Sequence, residues 1–106
     1  INVPIGLKVK FNANKKEIAD KITKHLLTNR LAACCQVFPI QSSYWWEDEI
    51  VEEMEYFIQI KTKKSLFETV KEEIIKVHDY DVCEVASYDI TNGSEQFLNW
   101  IDYETK

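Results

Sequence analysis

Glycine and proline are scarce in this chain, with two of each among 106 residues. Short loops and a largely regular backbone are therefore expected, because these residues supply the freedom and the breaks that turns use. Gly6 and Gly93 stand too far apart to build a glycine-rich phosphate cradle, and no Gly-x-Ser-x-Gly nucleophile elbow exists. No apolar run approaches the ~20 residues of a membrane-spanning helix, so membrane insertion is not expected. A basic surplus is missing too: 13 Lys and Arg stand against 18 Asp and Glu, a formal charge of −5. Phosphate backbones repel such a domain, which argues against nucleic acid as a partner. The cysteines are Cys34, Cys35 and Cys83. An odd count with two adjacent makes no disulfide framework and points to a reducing, cytoplasmic compartment. No signal peptide is visible, but the chain begins at Ile1, so targeting to an organelle by a removed upstream segment stays open.

The composition that is present is globular: 45% of residues are hydrophobic and 29% charged. The length suits one domain spanning residues 1–106. Ile5, Leu7, Val9 and Phe11 alternate with Gly6, Lys8 and Lys10, which predicts a strand with one buried face. Asn14, followed by Glu17, predicts a capped helix whose apolar face is Ile18, Ile22 and Leu26 and which ends near Asn29-Arg30. A second strand is expected over Leu31–Ile40, with Pro39 marking an edge or a bulge. A polar and aromatic connection of about nine residues, Gln41–Glu49, follows it. Ile50–Thr62 reads as a long third strand. Met54, Tyr56, Ile58 and Ile60 lie on one face of it, and Glu53, Glu55, Gln59 and Lys61 on the other, with Phe57 the exception. Ser65 and Glu68 form a Ser-x-x-Glu box that opens a second helix with the stripe Leu66, Phe67, Val70, Ile74 and Val77. A fourth strand over Glu84–Ile90, a turn at Thr91–Ser94 and a short C-terminal helix complete the order. That order, β-α-β-β-α-β plus a terminal helix, is the ferredoxin-like α+β sandwich with an antiparallel sheet. Both main helices cover one face of such a sheet, and the other face stays wet or meets a partner.

Five segments resemble the CutA divalent-cation tolerance family. They are Arg30-Leu31-Ala32-Ala33-Cys34, Tyr44-Trp45-Trp46-Glu47, Ile60-Lys61-Thr62, His78-Asp79-Tyr80 with Glu84, and Phe97-Leu98-Asn99-Trp100-Ile101. Each is short, but their order and spacing together are specific, and the resemblance as a whole runs from Phe11 to the C terminus. The resemblance implies a homotrimer in which long strands reach from one subunit to the next. It also implies a role in tolerance of divalent metal ions, copper in particular, without catalysis. The sequence departs from the family pattern at Asp48, where glycine is common, and at Asp79 and Cys83, where prolines are common.

Cys34, His78 and Glu84 match family positions and are the candidate metal ligands. Thiolate and imidazole suit copper or zinc, and a carboxylate completes the set. The metal would be a ligand rather than an obligatory cofactor. The competing reading makes Cys34 a small core residue and His78 a helix C-cap favoured by the helix dipole. Asp79, Asp81 and Glu84 lack the oxygen count and the glycine of a calcium loop. Lys61 is carried by the resemblance into one cleft with His78, Tyr80 and Glu84, where it would bind an anion or pair with Glu84; the alternative is an ordinary strand lysine. Tyr44, Trp45 and Trp46 form either a ligand platform or a subunit contact. Cys34 with His78 could pair as nucleophile and base, but neither an oxyanion loop nor an orienting group accompanies them. The acylphosphatases, which share the topology, carry a Gly-rich, Arg-containing loop where this chain has Asn12-Ala13-Asn14-Lys15. Two further readings stay open: a small-ligand sensor of the nitrogen-regulatory PII type, which carries a long loop between its second and third strands, and a purely structural trimeric scaffold.

Overall fold

The structure is a computed structural model, and it describes residues 6–78 and 83–106. Among these residues the order is β1 (Gly6–Ala13), α1 (Lys16–Thr28), β2 (Cys34–Trp46), β3 (Glu49–Lys63), α2 (Phe67–Val77), β4 (Val85–Ile90) and α3 (Glu95–Glu104), with a 3-10 turn at Lys64–Leu66 before α2. The strands form one sheet in the order β2-β3-β1-β4, and every pairing is antiparallel. This is the ferredoxin-like arrangement expected from the sequence.

The alternation in β1 works as read. Leu7, Val9, Phe11 and Ala13 are buried on one face. Ile58 and Ile60 of β3 lie beside them in register with Phe11 and Val9. Onto this face α1 lowers Ala19, Ile22 and Leu26, and α2 lowers Val70 and Ile74. Each large side chain removed from water contributes about 1.5–3 kcal/mol, so this layer supplies most of the drive to fold. Thr62, the next residue of β3 on the core face, is fully buried, and its hydroxyl donates to the Leu31 carbonyl at 2.7 Å. That bond anchors the chain between α1 and β2 to the sheet.

The opposite face is partly covered by α3. Gly6 sits directly beneath it: a Cβ there would meet Leu98 and Ile90 side-chain carbons at 3.1 Å. A glycine in the first strand thus lets the third helix approach the sheet. Ser94 caps α3 by accepting from the Phe97 N–H at 3.3 Å.

Several boundaries differ from expectation. Asn14 does not cap α1; Lys15 holds the cap position without a side-chain bond, and the Asn14 Oδ1 is buried with no hydrogen-bond partner among the described residues. Ser65 and Glu68 do not form a capping box either, because Ser65 lies inside the 3-10 turn and α2 starts two residues later. Leu31–Ala33 precede β2 rather than belonging to it.

The largest difference concerns Gln41–Glu49, expected as a connection of about nine residues. β2 and β3 continue pairing without a gap from Cys34↔Lys61 to Trp46↔Glu49. Pro39 pairs with Tyr56 in this ladder, so it marks the edge strand and not a bulge. The reversal is made by Glu47 and Asp48 alone, at φ 49° and 64°. Two-residue hairpins with both central residues at positive φ favour Asn and Gly, so Glu-Asp gave no turn signal. The hairpin projects beyond the helices as a ribbon and gives the molecule a long axis of 51 Å against 26 and 21 Å.

Left-handed backbone costs roughly 1–2 kcal/mol at a residue with a Cβ, against an entropic cost of about 0.5–1 kcal/mol for glycine. Asp48→Gly is expected to raise stability by about 0.5–1 kcal/mol, read as a higher urea midpoint at fixed chain concentration. A lower midpoint would show that the Asp48 side chain contributes more than its backbone geometry costs.

Candidate functional site

The register sorts the candidate residues by face. Cys34 is the cross-strand partner of Lys61, which is in turn the partner of Lys8, and Lys8 of Tyr88. These four lie in one row across the sheet, on the side that carries α3. Lys61 Nζ stands 5.8 Å from the centre of the Phe97 ring, and Phe97 stacks on Trp100 with centroids 6.4 Å apart.

His78 follows the last residue of α2. Its N–H donates to the Ile74 carbonyl at 2.9 Å, as a C-cap does, so the helix-end part of the competing reading describes its backbone. Its ring packs edge-on against Phe11, with centroids 6.1 Å apart, and its Nε2 hydrogen-bonds the Asn12 carbonyl. A metal bound through Nε2 would first have to displace that bond. Glu84 lies on the far side of the same strand end, where its carboxylate accepts from Lys10 at 2.9 Å. The Lys10 pKa is raised above its ordinary value chiefly by this bond.

His78 and Glu84 thus gather around Lys10–Asn12 at one end of β1. Cys34 is elsewhere: two strands over and four residues along, on the order of 15 Å by sheet spacing. No group of three His, Cys, Asp or Glu side chains close enough to hold a metal ion occurs among the described residues. One chain therefore does not assemble Cys34, His78 and Glu84. Tyr80, placed by the resemblance beside Lys61, lies outside the described residues. So do Asp79 and Asp81. Trp46 stands at the tip of the ribbon, opposite Glu49, about a dozen residues of strand from Cys34 and Lys61.

The thiols differ in kind. Cys35 points to the core face beside Ile60 and Val37, and burial pushes its pKa up to about 12. Cys83 is pushed up in the same direction, again mainly by burial. Metal ligation uses the thiolate, so Cys35 is a poor ligand at neutral pH. All three cysteines are free.

Sequence reasoning did not anticipate the character of the ribbon. On its helix-side face Trp45, Ile50 and Met54 are 72%, 63% and 63% exposed. On the other face Phe38 packs on Phe57 at 5.8 Å, Glu55 is buried at 4% exposure, and Tyr44 donates to Glu53 at 2.6 Å. That last bond pushes the Tyr44 pKa up to about 12. Tyr44-Trp45-Trp46 carried a signal of composition, but its meaning depends on a ribbon that the sequence pattern hid.

A long edge strand that ends in exposed large apolar residues, on a ferredoxin-like sheet with a free thiol at its base, defines a small α+β protein of the ferredoxin-like class. The sequence profile of the CutA1 divalent ion tolerance protein matches residues 7–104. The divalent-cation tolerance protein CutA of Archaeoglobus fulgidus is 37% identical over 92 residues, 87% of this chain and 90% of that protein. The Pyrococcus horikoshii protein of the same name is 39% identical over 90 residues, covering 85% and 88%. The crystal structure of CutA1 from Oryza sativa superposes with a TM-score of 0.93 at 30% identity, over 98% of this chain and 96% of that one. The structure of the A. fulgidus protein, described there as periplasmic, superposes with a TM-score of 0.92 at 34% identity, over 95% and 99%. A 36% identical relative from Arabidopsis thaliana is named a chloroplastic CutA; it matches 86% of this chain and 50% of that protein. The chain belongs to the CutA1 divalent ion tolerance family.

With Cys34 and Cys83 replaced by serine, Cys35 is expected to react with iodoacetamide at pH 8 at least about tenfold more slowly than an ordinary thiol, since burial raises its pKa to about 12 and the smaller thiolate fraction outweighs the greater nucleophilicity of a more basic thiolate. The same raised value means that the folded chain keeps the Cys35 proton where the unfolded chain loses it. Its contribution to stability is complete below pH 9 and declines as pH climbs towards 12. Alkylation at an ordinary rate without unfolding would refute the assignment.

Proposed function

We propose that this chain acts in divalent-metal tolerance as a homotrimer that binds copper, without catalysing a reaction and without a metal obligatory for folding. Membership of the CutA1 family supports the tolerance role. The observation that carries the assembly is the ribbon. β2 is an edge strand of 13 residues, and its hairpin exposes Trp45, Ile50 and Met54. An unpaired edge beside apolar side chains invites another strand and aggregates unless it is covered. A second copy of the chain covers it with the same chemistry.

Copper binding follows from assembly in this reading. Cys34 of one subunit meets His78 and Glu84 of the next, giving a thiolate, an imidazole and a carboxylate. Because the single chain holds Cys34 away from the other two, binding then depends on association. Trp46, carried on the ribbon tip, reaches a neighbouring subunit and packs there.

No helix among the described residues is long and apolar enough to cross a membrane. The three free thiols favour a reducing compartment such as the cytoplasm. The PII-like alternative is disfavoured by the two-residue turn at Glu47-Asp48, which leaves no long loop between β2 and β3.

Sedimentation at micromolar concentration is expected to give three times the chain mass. Anaerobic Cu²⁺ titration should show binding that Cys34→Ser and His78→Ala each weaken by about tenfold or more, roughly 1.4 kcal/mol. A stable monomer would end the assembly reading. Equal binding by both variants and the parent would remove the site.

A further inference from the structure

The α3-side face of the sheet carries four strand lysines, Lys8, Lys10, Lys61 and Lys63. Two are neutralised: Lys10 by Glu84 at 2.9 Å and Lys63 by Asp102 at 3.2 Å. The other two stand directly opposite each other in the β1–β3 ladder. Neither Lys8 nor Lys61 has a carboxylate within 4.0 Å among the described residues, and both are half-buried. Like charges directly opposite on one face of an antiparallel pair repel, with Cβ atoms only about 4.5–5.5 Å apart. Partial burial weakens the water screening that would otherwise soften the repulsion. The Phe97 ring beside Lys61 supplies one weak favourable contact and no neutralising charge.

We propose that Lys8 and Lys61 form a binding site for a small oxyanion, flanked by Tyr88 and Cys34 in the same sheet row and by Phe97 of α3. Directly opposite on adjacent strands, the two side chains leave the same face of the sheet, near enough for one tetrahedral oxyanion to accept hydrogen bonds from both. The paired lysines on either side, Lys10 and Lys63, leave the local charge positive inside a chain of net −5. The ligand class is a phosphate or phosphate monoester: Lys binds it as a point charge and asks for no planar fork. The site deepens the reading of Lys61 as a ligand-cleft residue. It does not require copper, His78 or the ribbon.

The test is a titration of the metal-free protein with inorganic phosphate at low ionic strength, followed by amide NMR, beside Lys8→Gln, Lys61→Gln, Lys61→Arg and the control Lys16→Gln. Lys16 lies on α1 and is paired with Asp20. Saturable shifts at Lys8, Lys61, Cys34 and Tyr88 are expected, weakened about tenfold in either Gln variant, retained in Lys61→Arg and unchanged in Lys16→Gln. In phosphate-free buffer Lys8→Gln should melt higher than the parent, because it removes the repulsion; this readout does not depend on binding. The His78→Ala variant should bind phosphate normally, so loss of the copper site and loss of this one are separable. Absent saturation, equal weakening by Lys16→Gln, or a change of oligomeric state in the Lys variants without phosphate binding would overturn the proposal. The last outcome would mean that carboxylates of another copy meet the lysines.

Discussion

Pairing between β2 and β3 is the constraint on which the rest of this molecule depends. The ladder runs without a bulge from Cys34 to Trp46, so parity alone decides which face each side chain takes. Cys34, Gln36 and Phe38 are sent to one side, and Cys35 and Val37 to the other. Because β1 holds β3 in place, a slip of one residue in β2 would turn Cys34, Gln36 and Phe38 to the core face and Cys35 and Val37 away from it. Two ends fix the register: the buried Thr62 hydroxyl on the Leu31 carbonyl, and the two-residue reversal at Glu47-Asp48.

That ladder divides the chain into two parts with different tasks. The half of β3 nearer α2 is a conventional sheet strand, covered by α1 and α2 and holding the core. The half nearer the hairpin has no helix beneath it and carries its apolar side chains into solvent. A packed domain end and a bare ribbon end explain how a fold of this size has both a fully buried Phe11 and an exposed Trp45. α3 adds a third layer only at the packed end, where Gly6 makes room for it.

Much of the fold was legible because periodicity and burial agree in β1, α1, β3 and α2. Leu7, Val9 and Phe11 alternate, and Ile22, Leu26, Val70 and Ile74 recur at helical spacing, each in a setting where the pattern meets no competing force. The caps were misread because Asn14 and Ser65 carry the right chemistry but fall outside the first turn of their helices. The ribbon was misread for the opposite reason. Its strands are polar and aromatic, and its turn lacks Gly and Asn, so local signals pointed to a loop while cross-strand pairing made a strand. The candidate site was legible as a set of residue types and not as a place. Family resemblance named Cys34, His78 and Glu84, but only the register shows that Cys34 belongs to one region of the sheet and the other two to another. The opposition of Lys8 and Lys61 could not be read without that register, since 53 positions separate them in the chain.

The alternation at Cys34 and Cys35 reaches into redox behaviour. Neighbouring cysteines in an extended strand diverge, so these two sulfurs cannot bond to one another while the ladder is intact. An oxidant that arrives from the α3 side encounters a single sulfur with no adjacent resolving partner in the strand. Oxidation there must stop at a one-centre product or recruit a thiol from outside the strand, and the hydrophobic layer keeps Cys35 out of that chemistry for as long as the protein stays folded.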